Sequence, residues 1–130
     1  MQIDITMEDK LRIVKVEPNK PAYVTEIENT LEAEQEAVGG LIELIYNGDG
    51  TFIVCNDEGK LTGMEGNRIL ENGSVIAGPF FVVGDTGEDF RSLTDEEVEK
   101  YMQKFAEPQQ ISQEQVEEDT GFYFITFGGI

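Results

Sequence analysis

The chain has 130 residues, the size of one ordinary domain, and 39% of them are apolar, enough for a packed core. Its 27 acidic residues against 9 basic ones give a net charge of -18, which repels nucleic acid and anionic lipid and favours basic partners. No histidine and one cysteine, Cys55, exclude Ser-His-Asp and Cys-His nucleophile pairs, a His general base, an internal disulfide and nearly every catalytic zinc set.

A lone cysteine suits a reducing cytoplasm. The acidic start, Met1-Gln-Ile-Asp-Ile-Thr-Met-Glu-Asp9, does not read as a secretory signal, and no apolar run reaches the roughly 20 residues that span a bilayer.

Leu11–Glu17 alternates apolar and polar residues like a half-buried strand. Pro18 and Pro21 break it, and Ala22–Ile27 reads as its hairpin partner. A helix is expected from Thr30 to Val38, with Asn29 as N-cap, Glu32 at N3 and Gly39-Gly40 as the stop. Leu41–Tyr46 and Thr51–Cys55 are strands joined by Asn47-Gly-Asp-Gly50, whose turn chemistry favours a hairpin. Asp57–Gly59 is another turn, and Lys60–Gly73 shows no period and reads as irregular.

Val75–Val83 reads as one buried strand bent at Gly78-Pro79, followed by a turn at Gly84–Gly87. A second helix is expected from Asp95 to about Phe105. Thr94 is its N-cap, Glu97 closes a capping box, and Leu93 staples onto Val98. Val98, Tyr101, Met102 and Phe105 form its apolar stripe. Residues 106–121 are a polar spacer with a short helix around Glu114–Glu118, and 122–130 carry an aromatic strand, Phe122–Phe127. The sum is a single α+β domain: a mostly antiparallel mixed sheet of five to six strands with two helices on one face.

Five segments, in this order and spacing, resemble a bacterial and phage family known as domain of unknown function 3846. They are Glu28–Gly40, Val54–Lys60, Asn67-Arg68, Ile76-Ala-Gly-Pro-Phe-Phe-Val-Val-Gly84 and Glu88–Glu97. The resemblance makes residues 11–105 a family-like core. Members are encoded mainly by phages and mobile elements, some beside antirestriction genes, so it implies a setting rather than an activity. The residues themselves read as a helix stop, a turn and a strand bend. Asn67-Arg68 is different: its cation either anchors neighbouring carboxylates or contacts a ligand.

The acidic field is the main functional signal. Between Lys20 and Lys60 there is no cation, while Glu26, Glu28, Glu32, Glu34, Glu36, Glu43, Asp49, Asp57 and Glu58 all fall there. Glu28, Glu32 and Glu36 recur every four residues, rising about 6 Å per step where helical. A globule of this size is about 35 Å across, and that length of duplex carries about 20 phosphates. The net charge is of the same order, as a DNA mimic requires.

Asn47, Asp49, Thr51 and Glu58 match part of an EF-hand spacing, but Phe52 stands where that loop needs glycine, so the hairpin reading prevails. Asp85, Glu88 and Asp89 around Gly87 read as a solvated turn rather than a cation site. Cys55 ends an apolar strand and reads as a small buried hydrophobe.

The expectation is a cytoplasmic non-enzyme without cofactor or metal. It would be an anti-CRISPR or antirestriction inhibitor whose acidic face enters the basic cleft of a host nuclease or another nucleic-acid-binding protein. It would bind neither nucleic acid nor membrane. The rival is a structural module, acidic for solubility, forming a homodimer through Phe122, Phe124 and Phe127. A carboxylate-based metal enzyme is a weaker third.

Overall fold

The computed structural model describes residues 9–120. Strands β1 (Lys10–Val16) and β2 (Tyr23–Glu28) form the expected antiparallel hairpin, with Leu11 opposite Ile27 and Ile13 opposite Thr25. Helix α1 (Leu31–Val38) follows. Its N-cap is Thr30 rather than Asn29: the Thr30 hydroxyl accepts from the Ala33 amide at 3.1 Å. That one-residue shift puts Glu32 outside the N3 position, so the capping box expected there does not form. Gly39 ends the helix at φ 82, a left-handed conformation that glycine adopts without a Cβ clash.

Strands β3 (Ile42–Tyr46) and β4 (Thr51–Asn56) make the second hairpin across Asn47–Gly50. Next come β5 (Gly66–Ile69), β6 (Val75–Ala77), β7 (Phe80–Asp85) and β8 (Phe90–Arg91). Helix α2 (Asp95–Lys104) and helix α3 (Gln113–Thr120) complete the described elements. The main sheet has the order β2-β1-β7-β4-β3, with β8 beside β7, and every pair in it is antiparallel.

Two expectations fail around Gly78. Lys60–Gly73 is not wholly irregular, because it contains β5, and Val75–Val83 is not one strand. Its first part, β6, pairs with β5 in a separate two-stranded sheet, whereas β7 lies at the centre of the main sheet. The switch occurs at Gly78, whose φ of 85 is closed to most side chains, followed by Pro79, which has no N–H for a ladder. A continuous apolar run thus conceals a change of sheet.

The helices do not share a face. On one side Leu11, Ile13, Val54, Phe81 and Val83 bury against Val38 of α1. On the other, Val14, Val16, Ile53, Phe80 and Val82 bury against Tyr101 and Phe105 of α2. Strands whose neighbouring residues are both apolar need cover on both faces, and Phe80-Phe81-Val82-Val83 is such a run. Helix α3 packs on the small sheet, where Val116 and Ile111 cover Val75 and Ala77. The 106–121 segment is therefore partly a packed element rather than only a spacer.

Candidate functional site

The basic residues are engaged within the fold. Eight of the 9 form ion pairs, the shortest being Lys100–Asp49 and Lys60–Asp119 at 2.7 Å and Arg91–Glu97 at 2.8 Å. The ninth, Arg68, is fully buried and donates to the carbonyls of Lys20, Asn67 and Phe105 and to Oδ1 of Asn67. Asn67 in turn donates to the carbonyls of Val16 and Gly78. This pair therefore ties the small sheet to β1 and to the end of α2. It anchors backbone carbonyls, not carboxylates.

The acids do not gather on one face. Register places Glu26 opposite Arg12, Glu28 opposite Lys10 and Glu43 opposite Cys55, all on the α2 side of the sheet. Glu28 lies 4.0 Å from Lys10. Asp49 closes the β3–β4 turn from within. Burial would raise its carboxyl, but hydrogen bonds from Lys100, Thr51 and Tyr101 hold it well below the usual carboxylate range. Asp57 and Glu58 lie in the turn after β4. On α1, Glu32 and Glu36 point to solvent, whereas Glu34 faces the sheet and is 7% exposed. The field foreseen from sequence is thus divided between both sides, and Glu32 and Glu36 are its outward part on α1.

On the α2 side, a cleft of ≈ 230 Å³ opens between β3–β4 and the small sheet, lined by Glu43, Cys55, Asp57, Lys60 and Ile76 among others. The Cys55 thiol is buried, 5% exposed, and burial with the nearby Glu43 pushes its pKa up to about 12. At neutral pH it is a protonated, weakly nucleophilic thiol. The Asn47–Thr51 loop is a hairpin turn, with the Asp49 carboxylate accepting from the Thr51 amide at 3.2 Å. Asp85 and Asp89 accept from the amides of Gly87 and Phe90 within their own turn. Among the described residues no group of His, Cys, Asp and Glu side chains is arranged to hold a metal ion.

The α1 side carries a feature that sequence reasoning missed. Tyr46, Phe52 and Phe90 line up across β3, β4 and β8, with ring centroids 5.5 and 6.0 Å apart. Tyr46 is 60% exposed and Leu44 beside it 44%. Ile42, Leu44 and Tyr46, two residues apart in β3, share one face of the sheet. That this strand would be an edge with little above it follows only from the sheet order. Phe122, Phe124 and Phe127, the expected oligomer contact, lie outside the described residues.

Among the described residues no helix is long and apolar enough to cross a membrane. A family model described as a domain of unknown function (DUF3846) matches residues 11–106. No curated protein and no solved structure matches the chain.

Proposed function

Because the chain belongs to the DUF3846 family, a domain of unknown function, we propose its role from its own surface: a non-catalytic acidic module that binds a basic protein surface. One observation carries this reading. Every lysine and arginine is engaged by a partner within the chain, while Glu32 and Glu36 on α1 are exposed and, among the described residues, form no ion pair. Such a surface has no means of attracting nucleic acid or an acidic protein, and it steers basic partners over the screening length of about 8 Å.

The sharper form of the proposal is an inhibitor that acts in the cytoplasm, entering the DNA-binding cleft of a CRISPR nuclease or a restriction enzyme in place of duplex. The phage or mobile-element setting that the resemblance implies supports that choice of target.

The test is displacement of labelled duplex DNA from such a nuclease by the purified protein at rising NaCl. Displacement should be strong at low salt, weaken steeply with salt, and fall about tenfold or more in a Glu32→Lys/Glu36→Lys variant that keeps the wild-type fold. Displacement indifferent to both changes, or none from any basic nuclease tried, overturns the proposal.

A further inference from the structure

We propose that the open aromatic strip beside α1 is a docking site for a basic amphipathic segment of the partner protein, one lysine or arginine of which pairs with Glu34 and Asp89. This rests on the reading above and assigns it a place on the surface.

Helix α1 follows β2 and leads into β3, so it crosses the sheet from one edge to the other and arrives at Ile42. The far end of β3 is left uncovered. There Tyr46, Leu44, Phe52 and Phe90 form an apolar strip, the first two largely exposed and the others half-buried. Contiguous exposed apolar side chains of this kind mark binding surfaces more often than isolated ones do.

Glu34 supplies the second, independent observation. It lies one turn before the fully buried Val38 and is itself more than nine-tenths buried. Among the described residues its carboxylate has neither a hydrogen-bond donor nor a cation. Its electrostatic neighbour is Asp89, another acid, next in sequence to Phe90. The Glu34 oxygens still touch solvent, and a donor from outside would offset the cost of holding a carboxylate in so confined a place. A lysine or arginine meets both needs: its aliphatic stem lies along Phe52 and Phe90, and its charged head reaches Glu34 and Asp89.

The chemistry selects among occupants. A second copy brings a further charge of -18 and basic residues already engaged. Residues 121–130 contain no lysine or arginine to meet Glu34. A partner segment carrying both apolar and basic residues satisfies the strip and the acids together.

The test uses the full chain and three short synthetic peptides: alternating Leu and Lys, alternating Ser and Lys, and alternating Leu and Glu. Amide NMR shifts locate binding, and titration measures it. The Leu/Lys peptide should shift resonances around Glu34, Tyr46, Phe52 and Phe90 first and bind about tenfold tighter than either control. Tyr46→Ser and Glu34→Gln, each folded by its spectrum, should each lose about tenfold in affinity. Shifts confined to Glu32, Glu36 and other outward acids, with both variants unaffected, overturn the docking site while leaving the basic-partner reading intact. No binding of any basic peptide overturns both. A dimer in solution that Tyr46→Ser converts to monomer assigns the strip to a second copy and also overturns the inference.

Discussion

Two buried charged side chains play opposite parts in this fold. Arg68 is satisfied: apart from Nε, which has no partner, its guanidinium holds carbonyls from three parts of the chain, including Phe105 at the end of α2. Arg68→Met removes those donors and leaves buried carbonyls unpaired, at about 3 kcal/mol in all. Urea unfolding should show the midpoint falling at an unchanged slope. Glu34 has no such partners: among the described residues its carboxylate meets solvent and the charge of Asp89. Burial, and then the charge of Asp89, raise its pKa in the folded protein. A carboxyl raised on folding ionises more readily in the unfolded chain, so stability is lost as pH climbs from the ordinary carboxyl value through the raised one. Glu34→Gln should therefore raise Tm at neutral pH and leave it unchanged well below the ordinary carboxyl pKa. A binding residue that destabilises the free protein behaves this way, and a variant no more stable at pH 7 would show that Glu34 carries no such cost.

At the scale of elements, α2 was legible because several local signals agree. Thr94 accepts from the Glu97 amide at 3.1 Å, and the Glu97 carboxylate accepts from the Thr94 amide at 3.0 Å, closing the capping box. Thr94→Ala should cost about 1 kcal/mol, read from thermal or urea unfolding. The hairpins β1–β2 and β3–β4 were equally legible, since turn residues and alternation coincide. What escaped was non-local. The change of sheet at Gly78 depends on β5 being present to receive β6, and β5 contains Gly66, Asn67 and Arg68, which carry no strand pattern. Gly78→Ala, which forces a Cβ into a left-handed position beside Met64, should cost about 1–2 kcal/mol by the same measurement. The acids that stand together in the sequence do not form one surface. Glu26, Glu28 and Glu43 lie across the sheet from α1 because strand alternation, which no charge count records, decides the side.

For the whole molecule the question is whether attraction or repulsion dominates among charges. At neutral pH the net charge of -18 opposes compaction, while the ion pairs at Asp49, Glu97 and Asp119 favour it. Burial tends to raise the carboxyls of Asp49 and Asp119, but the hydrogen bonds they accept and the charge of their lysine partners together outweigh it and lower both; at Glu97 the hydrogen bond from Arg91 leads. Carboxyls lowered on folding contribute stability that is present above the ordinary carboxyl pKa and lost as pH falls through the folded value. Salt shortens the screening length from about 10 Å at 0.1 M to about 3 Å at 1 M. Diffuse repulsion acts beyond that range and the 2.7–2.8 Å pairs act within it. NaCl should therefore raise Tm at pH 7, because it removes more repulsion than attraction. Near the isoelectric point, ≈ 4.1, the diffuse charge is cancelled while the Asp49 carboxylate, held far below the ordinary range, stays ionised. There the same salt should leave Tm unchanged or lower it. Thermal scans over both variables read the sign directly, and a Tm that falls with NaCl at pH 7 would mean that the pairs, not the uncompensated acids, govern this protein's electrostatics.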